Sequence, residues 1–226
     1  YAAMIRNLDR NIGRELAELK AQGLDQNTLV IFTSDNGGAH YIGLDDLNKP
    51  YRGWKATFFE GGTRVPFFMQ LPGVIAPGSQ FTAPVSHFDI FATSAALAGV
   101  QPPADRVIDG VNLIPFARGE QGGRPHEQMF WRSGAYQVAR SGDWKLQVNE
   151  TQDKVWLFNL QDDPTEQHNL VDAEPARVKE LLAQLAEFNS QQKAPLWPSL
   201  VEAPILIDKP LNRPQTADDE FIYWSN

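Results

Sequence analysis

One short apolar segment, residues 28–33, constrains the fold of this chain more than any other. It reads Thr-Leu-Val-Ile-Phe-Thr, with no polar alternation, which is typical of a strand buried on both faces of a parallel sheet. A helix is predicted before it, over residues 1–23, from an apolar stripe at helical spacing. The stripe consists of Ile5, Leu8, Ile12, Leu16 and Leu19. A helix leading into a buried strand indicates an α/β fold with a doubly wound sheet.

The later sequence predicts a second, smaller architecture. A strand over residues 65–70 and a helix opened by a Ser86–Asp89 capping box continue the α/β pattern. Four aromatic and β-branched runs separated by turns then predict an antiparallel sheet, and a long helix begins at Pro175. The predicted strands are residues 128–131, 136–140, 144–148 and 155–159. We therefore expect an α/β portion over 1–125 and an antiparallel-sheet subdomain over 126–226, ending in an irregular, proline-rich tail.

Charge, hydropathy and the absence of cysteine exclude several classes of protein. The net charge of −8 argues against a nucleic-acid partner, because such proteins concentrate positive charge. No apolar run reaches the roughly 18 residues that span a membrane. Without cysteine, the chain has no disulfide, thiolate zinc site or cysteine nucleophile. A glycosylation sequon, Asn149-Glu-Thr, lies in a predicted turn and is a weak signal.

A polar turn follows the first strand and carries the strongest candidate metal ligands. Asp35 and Asn36 stand before two glycines, at the end of the strand where open α/β sheets bind ligands. Their carboxylate and amide oxygens suit Ca²⁺ or Mg²⁺. Asp-Asn-Gly is also common turn chemistry, so an Asx turn without metal is the alternative. Because Ca²⁺ takes about 6–8 oxygens, two side chains cannot complete a site.

The loop that follows contains the candidate anion ligands. Lys55 lies in a glycine-punctuated aromatic segment on the same side of the predicted sheet, where an ammonium could bind an oxyanion. Arg52 and Arg64 are further candidates, and a solvated surface base is the alternative for each. For Gly61 and Gly62, we favour a role in permitting a turn over one in close backbone approach.

Five blocks of this sequence, in order, resemble blocks of the type I sulfatases of the arylsulfatase kind. The blocks are residues 28–38 (ending Ser-Asp-Asn-Gly-Gly), 51–66 (Tyr-Arg-Gly-Trp-Lys through Glu-Gly-Gly-Thr-Arg-Val-Pro), 86–93, 141–145 and 157–170. The resemblance covers essentially the whole chain. It implies the C-terminal part of an alkaline-phosphatase-like, doubly wound α/β domain, followed by a subdomain with a four-stranded antiparallel sheet and one long helix.

The resemblance also implies roles for the candidate residues. Asp35 and Asn36 match the pair that binds Ca²⁺, with Mg²⁺ as the alternative ion, and Lys55 matches the catalytic lysine that contacts a sulfate oxygen. Glu60 and Arg64, like His87, are expected to be structural. The implied substrate is a sulfate ester, either a small molecule or a sulfated glycan. Family habit alone favours a periplasmic or secreted location.

The sequence departs from the family pattern at the nucleophile. Sulfatases use a formylglycine made from a Cys/Ser-x-Pro-x-Arg motif, and this sequence contains no such motif. We therefore expect the formylglycine upstream, in an N-terminal half that acts as partner to this C-terminal half. The isolated chain is then expected to be inactive. Two alternatives remain open: a phosphate or phosphonate ester hydrolase of the same superfamily, and a non-catalytic fragment.

Overall fold

Helices and strands alternate along the first half of the chain, and four consecutive strands open the second half. The computed structural model describes residues 1–194, 196–197 and 199–225. Its helices are α1 (Ala2–Ala21), α2 (Glu60–Thr63), α3 (Asp89–Leu97), α4 (Ile114–Ala117) and α5 (Pro175–Ser190). Its strands are β1 (Val30–Thr33), β2 (Phe67–Gln70), β3 (Gln128–Ser133), β4 (Tyr136–Ser141), β5 (Trp144–Asn149), β6 (Lys154–Asn159), β7 (Glu202–Leu206) and β8 (Phe221–Ser225). Single 3₁₀ turns occupy Asp25–Asn27, His40–Ile42 and Glu150–Gln152.

These elements form two compact units that interleave along the sequence. Unit 1 contains residues 1–32 and 67–127, and unit 2 contains residues 33–66 and 128–226. The predicted division at residue 125 stays a prediction. None of the described helices is long and apolar enough to cross a membrane.

In unit 1, the predicted first helix and both strands form, but their predicted burial is wrong. No residue of the α1 apolar stripe is buried: Ile5 is 48% exposed, Leu8 50% and Leu16 40%, and Ile12 and Leu19 are half-buried. Strand β1 pairs with β2 in a two-stranded sheet, and Phe32 and Phe68 are also exposed. The predicted elements therefore carry apolar side chains, but many of these side chains face solvent. Within the described part of unit 1, no further strand or helix covers them.

At the start of α3, Asp89 makes its predicted capping-box bond, but the N-cap of the helix is Phe88 and not Ser86. Asp89 is fully buried and accepts a hydrogen bond from the backbone N–H of Ser86 at 2.7 Å. The same carboxylate accepts from the N–H of Val111 at 2.8 Å, and Nε2 of His126 lies 2.8 Å from its Oδ1. One buried carboxylate therefore ties the helix start to two later loops of unit 1.

In unit 2, the predicted antiparallel sheet and long helix are confirmed. The strand order is β3-β4-β5-β6, with Tyr136 opposite Asn149 and Leu146 opposite Leu157 in the register. Helix α5 buries Leu181 (0% exposed) against Leu146 and Leu157. The neighbouring Leu182 turns outward and is 39% exposed.

The tail is not irregular as predicted, because β7 and β8 pair as an antiparallel hairpin. Ile205 and Ile222 face each other in this pairing, and both are buried in the core beside Tyr136. The period-two burial of Ile205 and Ile207 outweighs the prolines that suggested irregular structure. Pro204 lies within β7, whereas Pro195 and Pro198 lie outside the described residues.

Replacing Leu181 with alanine tests the packing of α5 against the sheet. Leu181→Ala should lower the free energy of unfolding by about 2–5 kcal/mol, because it leaves a cavity between helix and sheet. The neighbouring Leu182→Ala should change it by about 0.5 kcal/mol or less, because that side chain is largely outside the core. Urea unfolding followed by tryptophan fluorescence measures both, since all six tryptophans lie in unit 2. Equal losses would contradict this helix orientation.

Candidate functional site

Two loops of unit 2 meet and bring the candidate residues together. The Asp35 loop is residues 34–38, and the Lys55 loop is residues 52–59. The backbone N–H of Lys55 donates to the carbonyl oxygen of Gly38 at 3.0 Å. The N–H of Gly37 donates to the carbonyl oxygen of Gly62, just beyond the Lys55 loop, at 2.9 Å. Asp35, Asn36 and Lys55 are therefore held within a few residues of the same backbone junction.

Asn48 connects these loops and was missed by the sequence analysis. Its Oδ1 accepts from the N–H of Gly38 at 2.7 Å. Its Nδ2 donates to the carbonyl oxygens of Gly38 at 2.9 Å and Gly53 at 3.0 Å. One side chain thus satisfies backbone groups of both loops. The sequence offered no signal for this role, since Asn48 lies in an ordinary polar loop ending in Lys-Pro.

The glycines allow the two backbones to touch. A Cβ at Gly37 would lie 1.7 Å from the carbonyl oxygen of Gly61. A Cβ at Gly61 would lie 2.5 Å from the carbonyl oxygen of Gly53 and 2.6 Å from that of Arg52. Gly61 lies within helix α2 and does not have a positive φ. The favoured interpretation of Gly61 as a turn residue is therefore wrong, and close backbone approach is its role.

Asp35 and Asn36 present oxygen atoms that fit part of a hard-cation site. Asp35 is exposed, and Asn36 is half-buried. Nδ2 of Asn36 donates to the carbonyl oxygen of Gly37 at 2.8 Å, which leaves Oδ1 as the atom for a cation. Across residues 1–194, 196–197 and 199–225, no three His, Cys, Asp or Glu side chains cluster around a common point. The donors therefore fit Ca²⁺ or Mg²⁺ in type and supply only part of a coordination shell.

The three basic residues that are candidate anion ligands have different surroundings. Lys55 is exposed, and it forms no ion pair within the described part of the chain. Arg64 lies over the Tyr51 ring, 4.7 Å from its centroid, and 3.7 Å from the carboxylate of Glu60. Arg52 is paired with acids of the tail. Lys55 is thus the candidate whose charge stays available to a ligand.

Arg52 is a structural clamp and not the anion ligand that the sequence allowed. Its Nε and one terminal nitrogen donate to the two carboxylate oxygens of Asp208 at 2.7 Å each. It also pairs with Glu220, and its guanidinium lies 5.0 Å from the Phe59 ring centroid. Burial opposes the charge, but the hydrogen bonds to Asp208 and Glu220 raise the pKa of Arg52 above its ordinary value. The Lys55 loop is therefore anchored to the C-terminal tail.

A buried ion triad lies under the Lys55 loop. Lys145 on β5 places its Nζ 2.8 Å from Oε1 of Glu60 and 3.0 Å from Oε1 of Glu166. All three side chains are at least 96% buried. The backbone N–H of Glu60 also donates to Oε2 of Glu166. The structural role expected for Glu60 is confirmed, and Lys145 and Glu166 are its partners.

The two carboxylates of the triad respond differently to burial. For Glu60, burial would raise the pKa, but the Lys145 charge outweighs it and lowers the pKa below the usual value. For Glu166, burial dominates and raises the pKa, with only partial compensation from Lys145 and added repulsion from Glu60. Glu60 is therefore the principal counter-charge of the buried ammonium.

A chain of buried polar groups extends the triad to the Lys55 loop. Gln147 donates from Nε2 to Oε1 of Glu166 at 3.0 Å. Tyr136 is fully buried and donates to the side-chain carbonyl of Gln147, while its hydroxyl accepts from the N–H of Phe58 at 3.0 Å. Sequence reasoning missed these residues because they look like ordinary alternating strand positions.

The glycosylation sequon is not usable in this fold. Asn149 is fully buried, and its Nδ2 donates to the carbonyl oxygen of Tyr223 at 3.1 Å. A glycan needs an exposed amide nitrogen, so the weak sequon signal was wrong.

An alanine at position 37 tests the contact between the loops. Gly37→Ala should lower the free energy of unfolding of unit 2 by about 1–3 kcal/mol, because the new Cβ overlaps the carbonyl oxygen of Gly61. Gly13→Ala is the control, because a Cβ there meets nothing within 4 Å. Tryptophan fluorescence in urea reports unit 2, so the control should leave the transition unchanged. A tolerated Gly37→Ala would refute the close approach.

The Arg52 clamp predicts a dependence of stability on pH. Burial raises the pKa of Glu220, but hydrogen bonding to Arg52 outweighs it and lowers the pKa below the ordinary value of 4.5. Its stabilising contribution is therefore complete above that ordinary value and is lost as pH falls through the lower, folded-state pKa. Between neutral pH and about pH 3, Glu220→Gln should lose less stability than the unmodified chain, as urea midpoints measure. The control is Asp218→Asn, an exposed acid in the same segment. A Glu220→Gln midpoint that falls as steeply as the unmodified one would contradict the clamp.

Two protein-family models match the chain. Residues 1–100 match the family model described as Sulfatase. Residues 52–194 match the model described as N-sulphoglucosamine sulphohydrolase, C-terminal. Both Asp35 and Lys55 fall within the first match, and the triad falls within the second.

Individual sulfatases show the same relationship. Rat steryl-sulfatase is 39% identical over 171 residues, covering 73% of this chain and 29% of the relative. Mouse N-acetylgalactosamine-6-sulfatase is 38% identical over 151 residues, covering 66% of this chain and 29% of the relative. The chain therefore spans about a third of the length of these curated relatives.

Solved structures agree with the sequence comparisons. The crystal structure of Ps i-CgsB in complex with k-i-k-neocarrahexaose has a TM-score of 0.78 and 30% identity, covering 87% of this chain and 44% of that one. Phosphonate monoester hydrolase of Agrobacterium radiobacter has a TM-score of 0.64 and 26% identity, covering 83% of this chain and 40% of that one. The fold is thus that of the alkaline-phosphatase-like enzymes, and the chain belongs to the type I sulfatase family.

Proposed function

We propose that this chain is the C-terminal part of a sulfatase that hydrolyses sulfate esters. One observation carries the proposal: the 3.0 Å backbone hydrogen bond from Lys55 to Gly38 joins the loop of exposed Lys55 to the loop of exposed Asp35. Neither side chain is paired elsewhere in the described part of the chain. Two opposite, available charges at one rigid junction suit a site for a cation and an oxyanion.

Asp35 and Asn36 would hold the divalent cation, which we take to be Ca²⁺, with Mg²⁺ as the alternative. The carboxylate supplies charge and the amide Oδ1 a neutral oxygen, which are the donor types such ions prefer. Further ligands would come from the upstream part of the protein. When bound, the cation would draw electron density from a sulfate oxygen.

Lys55 would bind the sulfate group directly. Its ammonium is a compact charge that can donate to a sulfate oxygen in the ground state and neutralise charge as the ester S–O bond breaks. An exposed side chain on a fixed backbone can reach a ligand while its attachment point stays in place. The guanidinium of Arg52 could also bind an anion, but it is already paired with Asp208 and Glu220.

The nucleophile and remaining ligands would lie in an N-terminal half that partners this chain. The sequence holds no Cys/Ser-x-Pro-x-Arg motif from which formylglycine could be made. The exposed apolar faces of α1 and of the β1–β2 sheet are compatible with such a partner. We infer that the isolated chain is inactive.

The names of the relatives support the proposed substrate class. Their names include a steryl-sulfatase and an N-acetylgalactosamine-6-sulfatase, so both small-molecule and glycan sulfate esters are represented. A phosphonate monoester hydrolase shares the fold, and a phosphate or phosphonate ester is therefore the second candidate substrate. It is the weaker candidate, because both family models that match are sulfatase models.

An activity assay tests the proposed function. Hydrolysis of an aryl sulfate and of an aryl phosphonate should be measured for this chain alone and for the protein that includes its upstream sequence. We expect aryl sulfate hydrolysis from the longer protein only. Activity of the isolated chain would contradict the upstream nucleophile, and preferential phosphonate hydrolysis would favour the second candidate.

The metal assignment has a separate test. In the longer protein, Asp35→Ala should abolish stoichiometric Ca²⁺ binding, because it removes a charged ligand. Elemental analysis and isothermal titration with CaCl₂ measure this without relying on activity. Asp25→Ala, in the 3₁₀ turn before β1, is the control. Unchanged metal content in Asp35→Ala would remove Asp35 from the site.

A further inference from the structure

We propose that Lys145 and Tyr136 of the four-stranded sheet are positioning residues for Lys55. They act through the backbone of the Lys55 loop and do not touch the substrate. The inference deepens the proposed function and rests on Lys55 binding the sulfate group. It assigns the C-terminal sheet a part in the reaction, although the sheet supplies no ligand itself.

The first connection runs through the buried triad to the start of the Lys55 loop. Lys145 pairs with Glu60 at 2.8 Å, and Glu60 opens helix α2. The next residue, Gly61, donates from its N–H to the carbonyl oxygen of Arg52 at 2.7 Å. Helix α2 therefore holds the loop three residues before Lys55, and Lys145 holds the helix.

The second connection holds the loop after Lys55. The N–H of Phe58 donates to the hydroxyl of Tyr136 at 3.0 Å. Tyr136 is fully buried, and through Gln147 its hydroxyl joins Glu166, the third member of the triad. The loop is therefore fixed at Arg52 on one side of Lys55 and at Phe58 on the other.

This two-sided anchoring matters because the Lys55 side chain has no anchor of its own. It is exposed and has four rotatable bonds, so only its backbone position is defined by the fold. A shift of about 1 Å in a catalytic group can lower a rate by about 100-fold. Loosening either anchor should therefore weaken stabilisation of the transition state by Lys55.

A double-mutant cycle in the longer, active protein tests the inference. Lys55→Ala should lower kcat by about 100-fold or more, as loss of a transition-state donor does. Lys145→Met should lower kcat by about tenfold with little change in KM. In the double variant, the Lys145→Met effect should disappear, because positioning has no value once the ammonium is gone. Lys179→Met, which removes an exposed lysine from α5, should retain full activity.

A second variant covers the case in which Lys145→Met fails to fold, since it leaves two buried carboxylates unpaired. Tyr136→Phe keeps the ring and removes the hydroxyl that accepts from the Phe58 N–H and donates to Gln147. It should lower kcat by about fivefold to tenfold, and this effect should also vanish in the Lys55→Ala background. Circular dichroism and melting curves confirm that each assayed variant is folded.

The outcomes separate the inference from the proposed function. If Lys55→Ala retains full activity, the role of Lys55 fails, and the positioning inference fails with it. If Lys55→Ala lowers kcat as expected but Tyr136→Phe lowers it further by the same factor as in the unmodified protein, the proposed function stands and the positioning inference is overturned. A folded Tyr136→Phe variant with unchanged kcat would overturn it as well.

Discussion

The pairing of buried Lys145 with Glu60 and Glu166 is the interaction on which the architecture of unit 2 depends. Removing three charged groups from water costs several kcal/mol for each, and only close pairing with further hydrogen bonds offsets that cost. The partners lie on β5, at the start of α2 and in the loop after β6. None of these segments can move away without leaving an unpaired charge in the core. The triad therefore specifies one arrangement of segments that are distant in sequence.

That arrangement explains why the glycines after Glu60 are needed. Once Glu60 is fixed over the sheet, the next residue lies against the backbone of Arg52 and Gly53. A Cβ at Gly61 would lie 2.5 Å from the carbonyl oxygen of Gly53 and 2.6 Å from that of Arg52. The Asp35 loop approaches from the other side, with Gly37 against Gly61. Backbone hydrogen bonds then close the junction. Long-range electrostatics and short-range steric fit thus support the same loop geometry.

Local patterns predicted the elements well, because helical spacing, strand alternation and turn residues act over a few positions. They predicted α5 and the four strands from β3 to β6, and they singled out Asp35 and Lys55 from turn and loop chemistry. The contacts that were missed join distant residues: Lys145 and Glu60 are 85 positions apart, and Arg52 and Asp208 are 156 apart. Nothing near Arg52 in the sequence distinguishes an ion-paired arginine from a ligand-binding one.

The charged residues around the junction of the two loops fall into two groups: those in ion pairs, which stabilise the fold, and those without an ion-pair partner in the described part of the chain, which belong to the proposed site. Lys145 is buried and Arg52 is half-buried, and each pairs with two acids, so their charges hold distant segments of the chain together. Asp35 and Lys55 lie at the surface of the same junction, and within the described part of the chain neither has an ion-pair partner. Leaving two exposed, unpaired charges on joined loops adds little to the stability of the fold. Catalytic groups, by contrast, are effective when a rigid surrounding holds them in place before the ligand arrives. The ion pairs of Arg52 and Lys145 provide that rigidity for Asp35 and Lys55.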